Sequence, residues 1–132
     1  MKPEPPSGFW RARGRSFACA ARGVVLILRT QPNARIHLLA TVLVVAAGLA
    51  FHVTRGEWLP LGFAIGIVWI AEAVNTALEV LADRITRERD EQIGRAKDLA
   101  AGAVLLAAIT AAFIGMLVLG PYFWSLLRGH SG

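Results

Sequence analysis

Only one cysteine, Cys19, occurs in the 132 residues, which excludes an intrachain disulfide and a thiolate metal cluster. It reads as a small helix residue. Charge is scarce too: Asp, Glu, Lys and Arg make up 17% of the chain against 55% hydrophobic residues, with a mean hydropathy of +0.53. An average soluble domain carries about 25% charged residues, so this is a membrane protein's balance, at a length that suits one domain. Acids are nearly missing from the first 35 positions, where Glu4 alone opposes Lys2, Arg11, Arg13, Arg15, Arg22, Arg29 and Arg35. Those bases precede the first long apolar run instead of coating a surface. They therefore point to an anionic cytoplasmic leaflet, and nucleic acid is not expected as a partner. A secretory leader is not expected either, because "MKPEPPSGFW" is polar and proline-rich and the first apolar run comes late, without a clear small-residue cleavage site.

The apolar runs themselves set the architecture: an all-α membrane protein with an N-terminal amphipathic surface helix and three transmembrane helices. Residues 1–7 read as a disordered tail, since three prolines in "KPEPPSG" prevent a helix. The rest, 8–132, reads as one membrane domain. From about 8 to 30, arginines mix with Phe9, Trp10 and Phe17, as in a helix lying at the headgroups with its arginines snorkelling toward phosphates. The first span is predicted at about 36–54, uncharged between Arg35 and Arg55 apart from His37 and His52. At 1.5 Å per residue it can cross a core of about 30 Å. A short turn around Glu57 and Trp58 leads to the second span, about 58–82, with Pro60 in its first turn. The third, about 98–119, is uncharged from Leu99 to Leu119 and rich in Ala and Gly, which suits close helix approach in lipid. Gly120 and Pro121 are expected to stop it, leaving Tyr122, Phe123 and Trp124 as an interfacial belt. Arg84, Arg87, Arg89, Arg95 and Lys97 fill the connector before this span, whereas the first turn has only Arg55 and the C-terminal tail only Arg128. The N-terminus and connector are thus expected on the cytoplasmic side, and the C-terminus outside.

Against this background, "EAVNTALEVLADR" is costly. An ionised carboxylate in a span costs about 2.5–3.5 kcal/mol even on lenient insertion scales, yet Glu72, Glu79 and Asp83 all fall here. Glu72, Asn75 and Glu79 stand at i, i+3 and i+7, one face of a helix, with Asp83 one turn further on. Measured from Asp83, Glu79 lies about 6 Å and Glu72 about 16 Å along the helix. The ladder joins the cytosolic side to the depth of a lipid hydroxyl. Two carboxylates with an amide between them suit a hydroxyl-activating base and a magnesium ligand. "GRAKD" adds Arg95, Lys97 and Asp98 at the start of the third span, where a helix N-terminus favours anions. Lys97 is placed to hold nucleotide phosphates, and Asp98 to orient it or help with the metal. Each element has a plainer reading: buried acids can bond neighbouring helices together, and loop bases can simply mark the cytoplasmic side.

At these residues the chain resembles the small integral-membrane prokaryotic diacylglycerol kinases and undecaprenol kinases, over roughly Gly8 to Leu119. "EAVNTALEVLADR" is similar to the family's E-x-x-N-[ST]-A-[IL]-E-x-x-x-D signature, "GRAKDLAAGAVLL" to its [KR]-x-A-K-D-x-x-[AS]-[AG]-A-V-L segment, and "RTQPNARIHLLA" to the start of its first span. The resemblance implies a homotrimer in the bacterial cytoplasmic (inner) membrane, with active sites at subunit boundaries that transfer the γ-phosphoryl group of MgATP to a lipid alcohol. It implies that Glu72 is the general base on the lipid hydroxyl and that Glu79 binds Mg2+ and nucleotide. Asn75 would contact substrate, Asp83, Lys97 and Asp98 would complete the nucleotide contacts, and Arg11 matches a basic family position near the active site. Family members often carry a glutamate where Gln31 stands, a position expected to share the metal with Glu79. They also often carry a "SPEYH"-like run where this chain has "TRERD" at Thr86 to Asp90. "RTQPNARIHLLA" and "GEWLPLGFAIGIVW" look closer to the undecaprenol kinases, so undecaprenol is the expected substrate and diacylglycerol the alternative. Two other classes compete: a small ion-coupled exporter using an intramembrane Glu, which would not bind ATP, and a non-catalytic helper packing through Ala and Gly faces.

Overall fold

The computed structural model describes residues 8–85 and 90–129. The expected tail at 1–7 and most of the "TRERD" stretch, 86–89, lie outside the described residues. Four helices follow in order: α1 (Phe9–Thr30), α2 (Pro32–Ala50), α3 (Arg55–Ile85) and α4 (Glu91–Gly129). α3 and α4 form the closest pair, while α2 packs more lightly on both and α1 touches α2 and α3.

Helix α1 holds Arg, Ala and Leu, with no proline until position 32. Pro32 disfavours helical geometry in the residue before it, so Gln31 is extended (φ −104°, ψ 113°) and Pro32 opens α2 at its first position. The guanidinium of Arg35 spans the break, donating to the carbonyls of Leu28 (3.3 Å) and Arg29 (3.1 Å) at the end of α1. Those carbonyls have no partner within the helix. The break thus fixes Gln31 at the elbow between two helices.

The turn between α2 and α3 lies earlier than the sequence suggests. It occupies 51–54, with His52 in the left-handed region (φ 54°), and Glu57 and Trp58 are already helical. Thr54 and Glu57 explain the shift, because they form a reciprocal capping box. The Thr54 backbone N–H and hydroxyl donate to Glu57 Oε2 at 2.7 and 2.8 Å, and the Glu57 N–H donates to Thr54 Oγ1 at 3.4 Å. Pro60 is therefore the sixth residue of α3 and not part of its first turn. The second correction concerns Gly120 and Pro121, which do not stop α4; the helix runs on to Gly129. Proline removes only one ladder bond, and the far side is held by tertiary contacts. Tyr122 stacks on Phe51 (5.6 Å, 17°) and donates its hydroxyl to both Glu57 oxygens (3.0 and 2.9 Å), while Phe123 meets Phe51 edge-on. Around them Val53, Leu61 and Leu119 form the apolar core, with Val44, Ala47 and Trp58 against it.

Polarity is otherwise inverted relative to a soluble bundle. Phe63, Ile70, Leu99 and Leu106 are exposed, whereas Glu72, Asn75 and Thr76 are buried. α2, α3 and α4 are each long and apolar enough to cross a membrane. At 39 residues, α4 extends about 58 Å, well beyond a hydrocarbon core of about 30 Å. Its charged first turns and aromatic last turns therefore project from the two faces.

Candidate active site

The buried polar residues lie along one face of α3, as the i, i+3, i+7 spacing predicts. Glu72, near the middle of the helix, is only 1% exposed, and neither of its carboxylate oxygens has a hydrogen-bond partner. Buried carboxylates are nearly always paired, so an orphan here is an unfilled acceptor. The hydroxyl of Thr76 is occupied with the Glu72 carbonyl (2.9 Å) and cannot serve the carboxylate. Three residues on, Asn75 Nδ2 donates to Glu79 Oε1 at 3.2 Å, which leaves the buried Asn75 Oδ1 without a partner. On its other side Glu79 Oε2 accepts from Gln31 Nε2 at 2.9 Å. Gln31 and Glu79, paired by the sequence reading, are thus neighbours. The proline-imposed elbow delivers Gln31 to α3.

Beyond Glu79 the face emerges from the protein. Asp83 is exposed and accepts from Lys97 Nζ at 2.7 Å, an ion pair that joins the end of α3 to the start of α4. Asp98, although next to Lys97, belongs to a separate shallow cleft with Asp90, Glu91, Gly94 and Arg95. Asp90 caps α4 there, its carboxylate accepting the N–H groups of Gln92 and Ile93 (2.8 and 3.1 Å). Arg11 stands on an exposed part of α1. Among the described residues, no hydrogen bond or ion pair connects Arg11 or Asp98 to Glu72, Asn75 or Glu79.

A cavity of about 250 Å3 opens on this ladder, walled by Asn33 and His37 from α2, by Glu72, Asn75 and Glu79, and by Ala101 and Val104 from α4. Asn33 and His37 were not among the candidates from sequence. Their i, i+4 spacing in "PNARIH", flanking the fully buried Ala34, was the available signal. His37 Nε2 lies 4.0 Å from Glu72 Oε2, too far for a direct hydrogen bond. A second, apolar cavity of about 430 Å3 starts at the same histidine and continues between Thr41, Leu61, Ala64, Val68 and Gly115.

The oxygen donors suit a hard cation: a carboxylate at Glu79, an amide at Gln31 and the orphaned Asn75 Oδ1. No group of three or more His, Cys, Asp or Glu suited to a metal occurs among the described residues. These few protein oxygens fit a hard cation that draws its remaining ligands from a bound phosphate or water.

Three helices able to cross a membrane, one of them carrying a buried carboxylate without a hydrogen-bond partner, define a membrane-integral protein whose polar groups run from one end of α3 into its interior. The comparison with known proteins gives the family. The sequence profile of prokaryotic diacylglycerol kinase matches residues 18–119, and the chain belongs to that family. It is 35% identical over 107 residues to an undecaprenol kinase of Bacillus subtilis, covering 81% of this chain and 87% of that protein. It is 39% identical over 113 residues to a diacylglycerol kinase of Synechocystis, covering 85% of this chain and 65% of that one. With the diacylglycerol kinase of Escherichia coli it shares 40% identity over 60 residues, about half of each chain (46% and 49%).

Proposed function

We propose that the protein is a lipid kinase of the bacterial cytoplasmic membrane, which transfers the γ-phosphoryl group of MgATP to a membrane lipid alcohol, with undecaprenol as the substrate and undecaprenyl phosphate as the product. The observation that carries this reading is the Glu72 carboxylate, buried to 1% and unpartnered, in a cavity that opens toward Glu79. In this mechanism Glu72 accepts the proton of the lipid hydroxyl. The hydroxyl oxygen forms its bond to the γ-phosphorus, and the bond from that phosphorus to the β,γ-bridging oxygen breaks, its electron pair leaving with ADP. Asn75 lines the substrate path and, through its bond to Glu79, stands between the two carboxylates, which lie about two helical turns apart. Lys97, oriented by Asp83, supplies positive charge to the transferring phosphates, and Asp98 and Arg11 complete the nucleotide side. Glu79 and Gln31 would hold Mg2+, which when bound neutralises phosphate charge.

The same reading places the chain as a homotrimer, with α1 on the membrane surface, the N-terminus and the α3–α4 connector cytoplasmic, and the C-terminus outside. The exposed apolar faces of α2, α3 and α4 supply surface for such contacts. Diacylglycerol stays as a second substrate reading, because the Synechocystis relative carries that name at 39% identity. Purified protein incubated with radiolabelled ATP and either lipid is expected to yield labelled undecaprenyl phosphate faster than labelled phosphatidic acid. No label in either lipid rejects the kinase assignment.

A further inference from the structure

We propose that His37 binds the acceptor hydroxyl, donating its Nε2–H to the oxygen whose proton Glu72 takes. The inference rests on the lipid kinase reading and names a substrate contact within it. Three observations carry it. The gap of 4.0 Å between His37 Nε2 and Glu72 Oε2 is too wide for a bond and too narrow to be unrelated. An oxygen about 2.8 Å from both atoms fits between them with an angle of about 90° at the oxygen, within reach of ordinary hydrogen-bond geometry. Both Glu72 oxygens are buried without a hydrogen-bond partner, and the His37 ring, 16% exposed, makes no hydrogen bond to another described residue, so the gap is open to a hydroxyl. Finally, His37 is shared by the polar cavity and the apolar one. That is where the head of an amphiphile meets its tail.

The backbone that carries the histidine is tied to α3. Thr41, one turn on, donates its hydroxyl to the His37 carbonyl at 2.8 Å and accepts the Trp69 indole N–H at 3.1 Å. Trp69 precedes Glu72 by three residues, so the clamp fixes the α2–α3 spacing beside the gap. During transfer one lone pair of the hydroxyl oxygen accepts from His37, another attacks phosphorus, and the proton passes to Glu72. His37 keeps its own proton throughout. It is a substrate-binding group, not the base.

The test uses wild type, His37→Leu and His37→Gln in lipid nanodiscs, with kinetics in undecaprenol and in ATP separately, and undecaprenol binding titrated without ATP. Losing one hydrogen bond to a buried hydroxyl should raise the lipid KM and weaken lipid binding about five- to tenfold. The KM for ATP should stay within about twofold on the same reasoning. His37→Gln, which keeps an N–H at similar reach, should recover most of the loss. A His37→Leu lipid KM within twofold of wild type overturns the proposal, as does a Gln variant no better than Leu. Where His37→Leu does not elute as wild type does, His37→Asn, polar but too short, takes its place. If wild type binds undecaprenol but transfers no phosphate, the undecaprenol kinase reading falls while the binding titration still decides His37. If it neither binds nor phosphorylates undecaprenol, that substrate reading and the His37 contact to it both fall.

Discussion

Gln31 and Glu79, 48 positions apart, share a hydrogen bond of 2.9 Å between the α1–α2 elbow and the ladder of α3. An amide donor here ties down a carboxylate that would otherwise be free to meet a cation. The bond has to open, or the amide has to turn its oxygen inward, before Glu79 and Gln31 can hold the same ion.

Gln31→Glu should accordingly exchange a hydrogen bond for a second anionic donor. The Mg2+ concentration for half-maximal activity is expected to fall severalfold, because a carboxylate contributes charge that an amide does not. In chelator, two facing carboxylates repel, and stability should drop by about 1–2 kcal/mol. Activity titrated against Mg2+, with thermal unfolding in detergent plus EDTA, checks both arms. An unchanged Mg2+ requirement would take position 31 out of the metal site.

For Glu72→Gln the structure sets function and stability against each other. Turnover should fall by about 10²–10⁴, the range for a lost general base, while MgATP affinity holds. Removing a buried, unpaired carboxylate should also raise the unfolding midpoint. Single-turnover assays and calorimetry of the same preparation decide the matter, and a variant that turns over normally removes Glu72 from the base role.

Lys97 and Asp83 make an exposed pair, and exposed pairs add little to stability. Lys97→Met is thus expected to leave the unfolding midpoint nearly unchanged and to raise the KM for ATP at least tenfold. The opposite pattern, a destabilised protein with normal ATP affinity, would make the pair a strut between α3 and α4.

The i, i+3, i+7 ladder was legible in sequence because a long, regular helix converts spacing directly into a shared face, and Glu72, Asn75 and Glu79 sit as that rule requires. Proximity across helices was not. Nothing in local periodicity places His37 opposite Glu72, since that pairing depends on how α2 packs, and the packing depends on a Thr41–Trp69 bond between residues 28 positions apart. Helix ends failed for a related reason. Gly120 and Pro121 are local stop signals, but the stacking of Tyr122 on Phe51 and its bond to Glu57 outweigh one missing ladder bond. The start of α3 does carry a local signal: Thr54 and Glu57 have the capping-box spacing, just ahead of the interfacial Trp58.

Trp58 itself has a packing role between α2 and the apolar core. Its indole lies directly over Gly48, where an added Cβ would stand 2.7 Å from Cη2 and 2.8 Å from Cζ2. Real Cβ atoms do not approach so closely, and the indole is wedged among Val53, Leu61 and Leu119, so it cannot simply swing away. Gly48→Ala should therefore cost about 1–3 kcal/mol, the usual range for overpacking. Trp58→Phe removes the two clashing atoms and should rescue Gly48→Ala, although alone it leaves a cavity and destabilises. The coupling in this double-mutant cycle is expected to exceed about 1 kcal/mol. KM values should barely move, because Gly48 lies near the opposite end of α2 from Gln31. Additive unfolding energies for the two substitutions would mean that the helices part to admit the methyl group, and that the outer core is looser than its contacts indicate.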